Sequence, residues 1–72
     1  MTRPEKHSLT LRGHRTSVSL EPDFWNGLRG IARDRGIGVS ALVTEIDETR
    51  GTDTGLATAI RLFVFRHYRD RA

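Results

Sequence analysis

The 72-residue sequence has no cysteine, only two prolines and no long apolar run. Without cysteine there is neither a disulfide framework nor a thiolate metal site, and a chain this short buries little apolar surface by itself, so association with a second copy is the expected stabiliser. The missing thiols, together with an N-terminus too polar for a secretory signal, point to the cytoplasm. The longest obvious apolar run, Leu62 to Phe65, is far below the roughly 18 residues of a membrane span, so no membrane partner is expected. Catalytic parts are also lacking. There are three histidines, no glycine-rich phosphate loop and no nucleophile, base and orienter that periodicity would bring together, which argues against an enzyme and against a bound cofactor. Glu45, Asp47 and Glu48 read as a solvated acidic surface, because no histidine or second carboxylate cluster is placed to complete a metal site.

Charge is present but unevenly spread. Residues 1–20 carry Arg3, Lys6, Arg12 and Arg15 against Glu5, a balance of +3; residues 21–53 balance to −3; residues 54–72 return to +3. The basic first stretch suits a polyanion.

Arg15 to Leu20 (Arg-Thr-Ser-Val-Ser-Leu) organises the chain. Thr16, Val18 and Leu20 fall on one face of an extended strand, and Arg15, Ser17 and Ser19 on the other. A lone strand leaves its backbone donors and acceptors unpaired, and the chain after Leu20 is helical, so the expected partner is the same strand of a second copy. The resulting two-stranded antiparallel ribbon fits the major groove of B-DNA, where arginine can fork onto guanine and hydroxyls can donate or accept. Upstream, residues 1–13 read as a basic N-terminal arm in which the alternation at 8–11 fits a short strand, with Arg12-Gly13 as a weak turn signal.

Downstream, Glu21-Pro22-Asp23 starts a helix whose stripe is Phe24, Trp25, Leu28, Ile31 and Ala32, and Gly36 ends it. Trp25 on that stripe reads as a core residue. Ile37-Gly38 connects to a second helix from Val39 to about Thr49 with stripe Val39, Leu42, Val43 and Ile46. Its free amides at Gly38, Val39 and Ser40 form an N-terminal anion site suited to a phosphate. After a polar loop, Asp53 or Thr54 can cap a third helix from about 55 to Arg69. Its stripe is Leu56, Ile60, Phe63, Val64 and His67, with Leu62 and Phe65 off it, so an intersubunit or partner contact is expected there. His67 and Tyr68 read as packing and dipole-compensating residues.

Strand, proline-started helix, glycine turn and helix, in that order, resemble the ribbon-helix-helix DNA-binding superfamily of the Arc and MetJ repressors. The resemblance is carried by Gly-His-Arg-Thr-Ser-Val-Ser-Leu-Glu-Pro-Asp-Phe-Trp at 13–25 and Gly-Ile-Gly-Val-Ser-Ala-Leu-Val at 36–43. It covers about residues 14–50, the ribbon-helix-helix core, and leaves 54–72 as an added C-terminal helix. What the resemblance implies is a mainly α fold with one short strand, an intertwined homodimer with a two-stranded antiparallel ribbon, and a sequence-specific DNA-binding transcriptional regulator. Arg15, Ser17 and Ser19 would contact bases, and Gly38, Val39, Ser40 and Arg12 would contact phosphates. Val18, Leu20, Trp25, Leu28, Leu42 and Ile46 would form the dimer core. The competing expectation is a dimeric protein-interaction module, an antitoxin or adaptor, that meets its partner through the C-terminal helix.

The inward assignment of Val18 is testable. Val18→Asp places an unpaired charge in the core and should leave the chain unfolded by circular dichroism. A fully helical, soluble Val18→Asp variant would count against it.

Overall fold

The computed structural model describes residues 3–71. In chain order it has β1 (Glu5–Leu11), β2 (His14–Leu20), α1 (Pro22–Arg35), α2 (Val39–Thr49) and α3 (Leu56–Arg71). β1 and β2 pair antiparallel, from Glu5 opposite Leu20 to Leu11 opposite His14. Only Arg12 and Gly13 remain to make the turn, and both hold positive φ, 51° and 80°. Positive φ at both central positions marks the mirror-image hairpin turns, whose twist matches that of the flanking strands. Glycine adopts this backbone freely; arginine adopts it at a cost.

This pairing corrects the expectation of one strand completed by a second copy. The strand's partner is the preceding segment of the same chain, and that segment runs over 5–11 rather than 8–11. Arg-Gly is a poor local signal because a non-glycine residue must sit at positive φ. Its tether lies far away in sequence: the Arg12 guanidinium donates to the carboxylates of Asp47 and Glu48 on α2.

The inward face of the ribbon is as the alternation predicts. Leu9 and Leu11 join Val18 and Leu20 over a core completed by Leu28, Ile31 and Ala32 of α1, Leu42, Val43 and Ile46 of α2, and Ile60 and Val64 of α3. Val18, Leu20, Leu28, Leu42 and Ile46, expected in a shared dimer core, are therefore buried within a single chain. Trp25 is half-buried, and its ring stacks on His7 of β1 at 3.7 Å between centroids and 7° between planes.

The helix ends obey local chemistry. Pro22 opens α1 after an extended Glu21, and Gly36 closes it at φ 70°, donating to the Arg33 carbonyl while Ile37 donates to Ala32. That is the double bond pattern of a glycine-ended helix. α2 has the span the spacing predicts. For α3 the first helical bond runs from the Ala59 amide to the Gly55 carbonyl, so Gly55, not Asp53 or Thr54, precedes the helix. On α3, Ile60 and Val64 are buried, Leu56, Phe63 and His67 half-buried, and Leu62, Phe65 and Tyr68 remain 40%, 55% and 46% exposed.

α1 and α3 approach closely at Gly27. A Cβ there would stand 2.8 Å from Val64 Cγ1 and 3.3 Å from Tyr68 Cε2. The Tyr68 hydroxyl crosses the same place, 3.4 Å from the Gly27 carbonyl it donates to. Gly27→Ala should therefore destabilise the fold by about 1 to 3 kcal/mol, despite alanine's better helix propensity, because the buried, β-branched Val64 cannot turn aside. Urea melts check this, and Val64→Ala in the Gly27→Ala background should recover part of the loss. A Gly27→Ala melt at or above wild type would refute the close-packing account.

Candidate nucleic-acid interface

Pleating sends alternate residues of the ribbon away from the core. The outward set is Lys6, Ser8 and Thr10 from β1 with Arg15, Ser17 and Ser19 from β2, all exposed. The register sets them in cross-strand pairs: Lys6 faces Ser19, Ser8 faces Ser17, and Thr10 faces Arg15. Two cations and four hydroxyls thus share one face with no acid among them. Neither Lys6 nor Arg15 takes part in an ion pair among the described residues. Lys6, Ser8, Arg15 and Ser17 also line a shallow depression along the ribbon.

The three base-contact candidates of the sequence, Arg15, Ser17 and Ser19, are therefore together on an open face. Lys6, Ser8 and Thr10 escape sequence reasoning because an arm assignment hides β1; the alternation from His7 to Leu11, taken over its full length, carries the signal. Leu9 and Leu11 lie beneath the ribbon in the core and leave the outer face uncovered.

The phosphate candidates divide. At Gly38, φ −76° and ψ 158° place the residue just ahead of α2, and no side chain caps the helix. The first intrahelical bond is from Leu42 to the Gly38 carbonyl, so the amides of Val39, Ser40 and Ala41 lack helical partners, as at any helix start. Arg12, the fourth phosphate candidate, lies at the hairpin turn. Its guanidinium is engaged by Asp47 and Glu48, and its charge is compensated at the tip of the hairpin.

The acids select which cations stay unpaired. Arg35 pairs with Glu45, Arg50 with Asp47, Arg61 with Glu21, Arg69 with Asp70, and Arg71 approaches Asp34. Among the described residues Arg3, Lys6, Arg15, Arg29, Arg33 and Arg66 have no such partner. The Glu21–Arg61 pair is also a brace. Arg61 Nε donates to Glu21 Oε1 at 2.8 Å, and its Nη2 reaches both Glu21 Oε2 at 3.2 Å and the Ser19 carbonyl at 3.3 Å, tying α3 to the end of the ribbon. The hydrogen bonds from Arg61, and then Glu21's own backbone amide, hold the Glu21 carboxyl below its ordinary range. Arg50 does the same for Asp47, with Arg12 adding to it.

Among the described residues no three histidine or acidic side chains gather into a metal-binding group, and no helix is long and apolar enough to cross a membrane.

A family model described as a ribbon-helix-helix domain matches residues 4–68. No curated protein and no solved structure matches the chain.

The depressed Glu21 carboxyl gives a pH prediction. A carboxyl whose folded pKa is lowered contributes stability in full above its unfolded value, near 4.3 for glutamate, and loses that contribution as pH falls through the folded value. Glu21→Gln should therefore be less stable than wild type at neutral pH, and the gap should close as pH is lowered beneath about 4. Urea melts across the acid range test this; a gap that persists undiminished in strong acid would show that the brace does not depend on the carboxylate charge.

Proposed function

This chain belongs to the ribbon-helix-helix family, and from that premise we propose that it is a sequence-specific DNA-binding transcriptional regulator that lays the outer face of its ribbon in the major groove. The observation that carries this reading is the acid-free, exposed face of Lys6, Ser8, Thr10, Arg15, Ser17 and Ser19. Two strands roughly 4.8 Å apart suit a groove about 12 Å wide. Arg15 is the guanine reader, its fork matching the two acceptors on that base; Ser17 and Ser19 are hydroxyl contacts to neighbouring base edges, and Lys6 meets phosphate. The open amides of Val39 and Ser40 behind Gly38 hold a backbone phosphate and set the register of the ribbon. Arg12, engaged by Asp47 and Glu48, has no part in this reading.

The protein acts in the cytoplasm as a homodimer and catalyses nothing. Ribbon-helix-helix members bind DNA as dimers. Here the support for a dimer comes from α3, whose exposed Leu62, Phe65 and Tyr68 offer apolar surface for a second protomer, rather than from an unpaired strand. The same three side chains favour a second reading, in which α3 docks another protein and the chain serves as an antitoxin or adaptor.

Arg15→Ala separates the readings. It removes no core contact, so the melting temperature should stay within about 2 to 4 degrees of wild type, as for most exposed substitutions. On a selected duplex each ribbon should lose about 1 to 3 kcal/mol of discrimination if Arg15 forks onto guanine. If Arg15 meets only phosphate, all sequences should weaken alike and the salt slope should fall by roughly one per contact. Gel-shift titrations on selected and scrambled duplexes at several salt concentrations give the answer. Equal binding by wild type and Arg15→Ala throughout would move the weight to the protein-interaction reading.

A further inference from the structure

On the side of the molecule formed by the end of α2, the 50–55 loop and α3 there is an open cleft of about 450 Å³. That volume is in the range of small-molecule sites, roughly 300 to 1,000 Å³. Its apolar part comes from Ile46, Ala59, Leu62 and Phe63, and hydroxyls are added by Thr49 and Thr54. The ionisable groups around it are Arg50, Arg66, His67 and Asp70.

Most of those charges are already occupied. Arg50 donates from Nε to Asp47 Oδ1 at 2.6 Å and from Nη1 to the Thr54 carbonyl at 2.6 Å, so it acts as a fixed wall that pins the loop. Asp70 accepts from Arg69 at 2.9 Å. His67 Nε2 lies 3.2 Å from Arg71 Nη1. Of the two arginines that line the cleft, Arg50 is paired and Arg66 has no ion-pair partner among the described residues.

We propose that this cleft binds a small organic anion, a carboxylate carried on an apolar body, with Arg66 on the carboxylate and Ile46, Ala59 and Phe63 against the body. The lining favours an amphiphile over simpler occupants. A bare phosphate would leave the apolar lining wet, and a purely apolar ligand would leave the exposed Arg66 guanidinium without a partner. A carboxylate on an apolar body meets both, since a guanidinium takes a carboxylate bidentately. None of these residues lies on the ribbon, but Leu62 at the rim of the cleft also belongs to the α3 surface offered to a second protomer, so a dimer through α3 bears on the site.

The test uses the full chain labelled with ¹⁵N and three probes: octanoate, its neutral counterpart octanamide, and inorganic phosphate. Octanoate should shift the Gly51, Thr54 and Ala59 amides saturably. Octanamide should bind about tenfold or more weakly, the worth of one charge-assisted hydrogen bond, and phosphate should leave those amides unmoved. Arg66→Gln, with the rest of its spectrum unchanged, should weaken octanoate by a similar factor. The proposal is overturned if octanoate and octanamide bind alike, if Arg66→Gln binds octanoate as wild type does, or if the shifts centre on Phe65 and Tyr68 instead of the cleft. It is equally overturned if sedimentation shows a dimer and the Gly51, Thr54 and Ala59 amides do not respond, which would make the cleft part of the contact between copies. Should Arg66→Gln fail to fold, the octanoate–octanamide comparison on wild type decides alone.

Discussion

Every later feature of this molecule depends on a turn of two residues. Arg12 and Gly13 reverse the chain with both φ angles positive, and that backbone fixes the register of all seven cross-strand pairs. Because side chains alternate with a period of two, a slip of β1 by one residue against β2 would put Leu9 and Leu11 in water and Lys6, Ser8 and Thr10 in the core. The turn thus decides which face is core and which is surface. Its strained member is held from the far side of the sequence: the carboxylates of Asp47 and Glu48 grip Arg12, so the end of α2 helps set the register of the ribbon.

Charge is partitioned by the same logic. The chain is basic, yet its acids are taken up by arginines that brace one element against another: Glu21 with Arg61 across the ribbon's end, Glu45 with Arg35 between α1 and α2, Asp47 with Arg12 and Arg50. These are largely exposed pairs, individually worth little, but they decide which positive charges are left uncompensated. Lys6 and Arg15 are left on the ribbon, and Arg66 is left on α3. Much of the acidic middle of the sequence is thus neutralised by arginines of the fold.

The helices are legible in the sequence because their signals are local. Pro22 and Gly36 mark the ends of α1, and the spacing of Val39, Leu42, Val43 and Ile46 defines α2. The inward and outward faces of β2 are legible from strict alternation, and with them Arg15, Ser17 and Ser19. The identity of the strand's partner is not, since Arg12 at positive φ depends on a contact 35 residues away with Asp47. From that one gap comes the omission of Lys6, Ser8 and Thr10 from the outer face. The fate of Arg12 is hidden for the same reason: no periodicity announces which of two nearby acids an arginine will find. The surplus of apolar surface on α3, by contrast, is visible in Leu62 and Phe65 lying off its stripe, and both remain exposed.

The stack of His7 on Trp25 ties the only indole in the chain to the strand that is hardest to read from the sequence. The imidazole Nε2 is shielded from water there without a hydrogen-bond partner, so the ring is held chiefly by its face-to-face contact. An indole stacked on an imidazole emits differently from one in water. Light emitted by Trp25 accordingly reports whether the first strand is seated, which makes the protein its own optical gauge of ribbon closure, with no added dye.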